Sequence, residues 1–270
     1  MILDETFALL KTRYENRFNS TRIEKVQIGV CFAAVQLSSG YCGLSSVDSA
    51  SVSCCTGKRI RENLPFTPGN ICGQKLLDLF SCPLESRTLD IVRMAAMNAV
   101  SQELIASEDY TIVEDKDPIE LVDLQSNKII CIVGAFHSYM KTISQTQSTL
   151  VVIEMNELAI PDEYKQCYVP ASKAASVFPE ADTIIITGST LVNRTLDFVV
   201  ESIPSGKQVI LVGPTAGLIP DVLFRHGIQV IGATRVADPE RVMQAIAEGA
   251  AGYHLFRNGA QKICIMNNAK

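Results

Sequence analysis

The chain has 270 residues, of which 47% are hydrophobic and 20% charged. That composition supplies a large core and excludes a disordered chain. With 24 lysines and arginines against 29 aspartates and glutamates the formal net charge is -5, which argues against a nucleic-acid partner.

The N-terminus, MILDETFALLKTRYENRF, places Leu3, Phe7, Leu10 and Tyr14 at helical spacing and reads as an amphipathic helix. It carries early acids and no continuous apolar centre, unlike a signal peptide. No apolar run approaches the ~20 residues a membrane span needs, so a soluble, cytoplasmic protein without a membrane partner is expected. VQIGVCFAAVQL (26–37) is a β-rich apolar run, Ser39-Gly40 a turn signal, and YCGLSSV its return strand. Residues 48–70 read as an irregular loop that includes the densest basic cluster, GKRIRE at 57–62, a solvated surface feature. GQKLLDLFSC and LDIVRMAAMNAVSQELIA read as helices. Asn98 lies on the small-residue face of the second, either as a satisfied core amide or as a group aimed into a cleft. EDKDP (114–118) reads as a linker, and the chain divides near residue 125.

From there strands and helices alternate. KIICIVG (128–134), TLVVIEM (149–155), TIIITG, KQVILVG and IQVIGATRV are apolar runs of buried-strand type, and QKICIMN is a candidate last strand. HSYMKTISQ, VPASKAASVFPEAD, TLVNRTLDFVVESI, PDVLFRHG and DPERVMQAIAEGA read as helices. In the third of these, Val192, Leu196, Val199 and Ile203 form one stripe. Gly227 follows a helix as its C′ glycine, and Asp238 with Pro239 opens another as N-cap and first residue. The pattern predicts an α/β fold with a doubly wound, mainly parallel sheet of Rossmann-like type.

In such a sheet ligands lie beyond the carboxyl ends of the strands, at the switch point. The strand-following residues there are Gly134 to His137, Glu154, the Thr187-Gly188-Ser189-Thr190 loop, Gly213-Pro214-Thr215, and Thr234-Arg235 leading to Asp238. In the strand order 3-2-1-4-5-6, GAFH and TGST face one another. Gly134 and Glu154 are about twenty residues apart, the separation at which an acid meets a ribose in nucleotide-binding units. GAFHSY lacks G-x-G-x-x-G, so there is no NAD fingerprint; a nucleoside-like ligand stays open, beside a simple solvated acid at Glu154. His137 is the candidate acid/base, with a capping or surface histidine as the other reading. His226 suits a helix C-terminus, and His254 has no evident partner. In TGST a hydroxyl caps a helix, while Thr187, Ser189, Thr190 and Asn193 together offer more polar groups than one cap needs.

The nine cysteines form no C-x-x-C. Cys31, Cys131 and Cys264 sit in apolar runs as small hydrophobes. Cys42, Cys54, Cys55 and Cys72 are either reduced thiols or residues that converge on a metal.

The stretches RMAAMNAV, ICIVGAFHSYMKTI, DTIIITGSTLVNRTLD and QVILVGPTAGLIPDVLFRHGIQVIGATRVADPERVMQAIAEGA resemble the DUF364 family, described as a heavy-metal chelation domain, preceded by its partner domain DUF4213. The resemblance implies an enolase N-terminal-like α+β domain over 1–125 and a Rossmann-like domain, similar to methyltransferases, over 126–270. It also implies a site in the cleft between them. The residues it carries into that cleft are Asn98, His137, Ser189, Thr190, Asn193, Gly213, Pro214 and Asp238. The first expectation is an enzyme, condensing or hydrolytic, acting on a pterin-, flavin- or siderophore-like molecule. The alternative is a non-catalytic binder of a heavy metal or metal–chelate complex, and the third is an S-adenosylmethionine-dependent methyltransferase using Glu154. The expected partner is a small molecule, with homo-oligomer formation left open.

Overall fold

The computed structural model describes residues 1–47 and 66–267. Cys54, Cys55 and the GKRIRE cluster lie outside the described residues. The first half begins with α1 (Ile2–Arg13) and the short α2 (Glu15–Phe18), continues with β1 (Ile23–Ile28), β2 (Phe32–Leu37) and β3 (Cys42–Ser46), and ends in α3 (Leu76–Ser81) and α4 (Arg87–Ser107). The three strands form an antiparallel sheet in the order β1-β2-β3. The apolar run 26–37 is thus two strands rather than one stretch. The chain reverses at Gly29–Cys31, where the Gly29 amide donates to the Phe32 carbonyl at 2.8 Å.

Helix α4 explains how the halves join. Fifteen of its 21 residues are buried, so it is a core helix covered on nearly every side rather than an amphipathic surface helix. Its Ala95 and Ala99 let β3 come very close. A Cβ at Gly43 would lie 2.2 Å from both the Ala95 carbonyl oxygen and the Ala99 nitrogen. Glycine is therefore the residue that permits this strand-on-helix contact.

The second half contains α5 (His137–Ser144), α6 (Ala174–Val177), α7 (Ser189–Val192), α8 (Leu196–Glu201), α9 (Pro220–Arg225), α10 (Pro239–Ala247) and α11 (Gly252–Arg257). Its strands are β5 (Ile129–Val133), β6 (Thr149–Glu154), β7 (Tyr168–Pro170), β8 (Thr183–Thr187), β9 (Gln208–Val212), β10 (Val230–Val236) and β11 (Ala260–Met266). With β4 (Thr111–Glu114) they form one eight-stranded sheet in the order β4-β11-β10-β9-β8-β5-β6-β7. Pairing is parallel from β10 through β7 and antiparallel at β11, which lies between β10 and β4. Counted from β5, the six parallel strands follow the order 3-2-1-4-5-6, and β5 and β8 are neighbours as expected.

Three local expectations change. EDKDP is not a linker: Glu114 ends β4, and Asp117–Glu120 form a capping box on a 3-10 turn at Pro118–Leu121. So Thr111–Glu114, N-terminal to the division expected near 125, already belongs to the large sheet. The helix expected over TLVNRTLDFVVESI is broken into α7 and α8, because Arg194 takes a left-handed φ of 59° between them. Finally the helix expected over VPASKAASVFPEAD shrinks to α6, with Val169 and Pro170 in β7, and α11 forms from a segment to which no element was assigned. Among the described residues, no helix is long and apolar enough to cross a membrane.

One core cluster joins α1, α4 and the hairpin sheet to one face of the large sheet, including Ile184, Ile186, Leu211 and Ile231. The alternate residues Ile185, Ile210, Ile130 and Ile132 pack on the other face with α5. This two-sided burial is what the uninterrupted apolar strands required.

Candidate functional site

The carboxyl ends of β5, β6, β7 and β8 open on a cavity of about 760 Å³, within the range of small-molecule sites. Its walls come from both halves of the chain. Ser46 and Val47 close one side at the end of β3, while Val133–Phe136, Ile153–Asn156, Ala171, Ala174 and residues between Thr187 and Val199 supply the rest.

Each polar group there is placed by local chemistry. Gly134 has φ 106°, and a Cβ on it would fall 2.8 Å from the Thr187 methyl. Only glycine lets the loop after β5 pass the end of β8 so closely. Glu154 is held by its own backbone: Oε1 accepts from the amides of Met155 at 2.7 Å and Asn156 at 3.0 Å. Its Oε2 has no hydrogen-bond partner among the described residues.

TGST divides its labour. The Thr190 hydroxyl donates to the Thr187 carbonyl at 2.6 Å and fixes the turn. Thr187 Oγ1 accepts from the Ser189 amide and donates to Ser189 Oγ, both at 3.3 Å. Asn193 Oδ1 accepts from the amide and hydroxyl of Thr195, at 3.2 and 2.6 Å, which steadies the break before α8. That leaves the Ser189 hydroxyl proton and the Asn193 Nδ2 donors for a ligand. Apolar groups complete the wall: Phe136, stacked on Tyr139 with ring centroids 5.3 Å apart, and the outward-facing Met155 and Phe198, which are 68% and 64% exposed. These side chains give the mouth of the cavity an apolar rim.

The remaining expected residues sit elsewhere. Asn98 is a buried clamp rather than a cleft group: its Nδ2 donates to the carbonyls of Leu44 at 2.6 Å and Thr215 at 3.0 Å. Thr215 Oγ1 accepts from the Ser46 amide at 2.8 Å. Together they fasten β3 to the loop after β9, and so hold Ser46 in the cavity wall without lining it. Gly213 and Pro214 lie behind TGST rather than in the wall, and Gly188, within the loop, faces that side: a Cβ on it would lie 3.0 Å from the Ala216 nitrogen. Asp238 caps α10, accepting from the Arg241 amide at 3.1 Å, and is not in the wall.

His137 opens α5 but is exposed, and its Nε2 lies 3.1 Å from the Ala159 carbonyl. That contact makes Nε2 the protonated nitrogen, and the ring is not part of the wall. His226 faces Glu5 at 3.2 Å, and His254 Nδ1 accepts from the Ala251 amide. Glu154 is the one titratable side chain of the wall among the described residues. Phe136 belongs to the GAFH stretch singled out after β5, whereas Met155, Phe198 and Ser46 were not expected; apolar residues resemble core, and Ser46 arrives through tertiary packing.

The donor set of the described residues does not fit a bare heavy-metal ion. Among the described residues the wall offers hydroxyls, amides and one carboxylate, with no cysteine or histidine, whereas structural zinc and softer metals favour thiolate and imidazole. Among the described residues no three His, Cys, Asp or Glu side chains come together. Cys42 is buried in β3, which pushes its thiol up to about 12 and keeps it protonated.

Two family models match the chain, both described as "Putative heavy-metal chelation": DUF4213 over residues 12–101 and DUF364 over 117–265. An uncharacterised protein of Methanocaldococcus jannaschii is 30% identical over 191 residues, spanning 67% of this chain and 66% of that protein's length. A DUF364-family protein of unknown function from Pyrococcus horikoshii has a similar structure, with TM-score 0.77 and 20% identity over 99% of this chain and all of that one. Another from Desulfitobacterium hafniense gives 0.75 and 20% over 98% of this chain and all of that one. With its model spanning more than half of the sequence, the chain belongs to the DUF364 family and carries the DUF4213 domain ahead of it.

Proposed function

We propose that the chain binds a planar, polar small molecule of the pterin-, flavin- or siderophore-like kind in the cavity at the end of β5, β6 and β8. The observation that carries this reading is the wall itself. Exposed apolar side chains (Met155, Phe198) and Phe136 surround a few fixed polar groups, Glu154, Ser189 and Asn193, the composition of a site for an organic ligand with a flat apolar body. A connection to heavy metals then runs through the ligand's own donor atoms, because the protein's donors in the wall suit an organic molecule better than a naked ion. We read the second half as Rossmann-like from its strand order and the first as enolase N-terminal-like from the family resemblance. A catalytic step is a further reading; Glu154 stands in the wall for proton transfer and His137 would have to leave the Ala159 carbonyl to reach it.

Calorimetry and thermal-shift titration with pterins, flavins, catecholates and hydroxamates, each with and without Ni²⁺, Co²⁺ or Zn²⁺, test the reading. Binding of at least one organic ligand, weakened about tenfold by Asn193→Asp and Ser189→Ala, is expected, since each variant deletes one donor to the ligand. Asn193→Asp keeps the acceptor that Thr195 uses, so the α7–α8 break survives. Stoichiometric binding of a bare metal with no organic ligand, or ligand binding indifferent to both variants, would overturn it.

A further inference from the structure

Glu154 is the only charged side chain in the cavity wall among the described residues, and half of its acceptor capacity is already assigned. A carboxylate offers about four lone-pair sites. Two on Oε1 are taken by the amides of Met155 and Asn156, at 2.7 and 3.0 Å. The two on Oε2 are open, on a group that cannot turn away because its other oxygen is tethered. A fixed carboxylate oxygen with two vacant sites matches, in number and polarity, the two donors of a vicinal diol.

Its surroundings narrow the ligand further. Met155, the next residue, is 68% exposed and lines the cavity, and the small side chains of Ala171 and Ala174 after β7 line it too. A polarisable thioether beside small side chains suits the face of a heteroaromatic ring. Among the described residues the wall holds no lysine, arginine or histidine, and the loop after β5 lacks the glycine spacing that cradles a pyrophosphate. Beside a carboxylate without any cation, a phosphate would be repelled.

We infer that the cavity takes an unphosphorylated heterocycle carrying a vicinal diol, with the diol on Glu154 Oε2 and the ring against Met155. This rests on the small-molecule reading above and names the handle by which the molecule is held. The ribose of a nucleoside and the polyol side chain of a pterin share this chemistry.

Matched probe pairs distinguish the sources: adenosine against 2′-deoxyadenosine, and neopterin against unsubstituted pterin, with AMP as the phosphorylated control. Calorimetry on the full chain should show at least one diol-bearing probe binding about tenfold more tightly than its diol-free partner, the scale of a hydrogen bond to a charged group. That preference should collapse in Glu154→Gln, which keeps the amide acceptor and replaces Oε2 with a donor. AMP should bind more weakly than adenosine if the nucleoside is the source. Equal binding within both pairs, or a preference that survives Glu154→Gln, overturns the inference. If pterin then still binds and Asn193→Asp weakens it, the cavity reading stands alone. If no probe binds, this inference falls, and the wider ligand panel decides the cavity reading separately.

Discussion

Asn98 offers the sharpest test of how the two halves are joined. Its side chain is 1% exposed and gives both amide hydrogens to carbonyls on different halves, Leu44 and Thr215. The orientation is fixed, since exchanging Oδ1 and Nδ2 would set an oxygen against two oxygens. Truncation to alanine orphans two buried acceptors at ~1–3 kcal/mol each and opens a small void. It also removes Asn98 Oδ1, itself without a partner, which returns part of one such penalty. The balance is a loss of roughly 2–4 kcal/mol, or about 5–15 °C in melting temperature for a chain of this size. Thermal unfolding followed by circular dichroism measures it. Asn98→Asp keeps the shape but faces both carbonyls with oxygen, and should lose at least as much. An alanine variant melting within about 2 °C of the parent would refute the clamp.

Other substitutions probe separate links. Gly43→Ala forces a Cβ to within 2.2 Å of the α4 backbone, so a loss of about 3 kcal/mol is expected, and a parent-like denaturation midpoint would contradict it. Asp238→Ala should cost about 1 kcal/mol as a lost cap while leaving ligand affinity unchanged; a weakened ligand titration would return Asp238 to the site. Burial works to raise the Asp221 pKa, but hydrogen bonds from Arg13 and Tyr110 and the guanidinium charge outweigh it and hold the carboxyl below its usual range. The stabilisation is therefore full above pH ~4, the unfolded value, and lost as pH falls through the lower folded one. The stability gap between Asp221→Asn and the parent should shrink on acidification below that point, and a constant gap from neutral to acid pH would refute the assignment. Burial pushes the Cys42 and Cys131 thiols up to about 12, so native alkylation at mildly alkaline pH should mark exposed Cys72 well before either. Peptide mapping that finds Cys42 modified as fast as Cys72 would count against the packing of β3.

The large sheet was legible because burial on both faces removes the need for alternation, and its strands read as unbroken apolar runs. The N-cap at Asp238 and the glycine at 227 were legible because their chemistry is local. The break at Arg194 was not: a left-handed arginine carries no compositional signal, and the Val192–Ile203 stripe continues across it. Nor was the reversal at 29–31, where Val30 and Cys31 extend the apolar run through the turn. At the site, six of the expected residues line the cavity: Gly134, Glu154, Thr187, Ser189, Thr190 and Asn193. Five of them lie at or just after a strand end, so position along the chain sufficed, while Asn193 follows α7 and was reached through the family resemblance. Asn98 and Thr215 were drawn toward the same place for a different reason. They support its wall from behind, and sequence cannot separate a group that lines a cavity from one that holds the lining.

The short strand β4 has a bearing on how this chain divides. It pairs with β11 through Thr111–Glu114, inside the interval left between the matched stretches 12–101 and 117–265. A fragment that begins at residue 117 keeps β11 but loses its outer neighbour, exposing a row of unpaired amides and carbonyls over Ile263–Met266, whereas one that begins at residue 102 keeps β4 in place. Such an edge is a template for another chain's strand. The strand that closes the second half's sheet thus lies outside both matched segments, and without it β11 is an open edge for pairing with the edge of another copy.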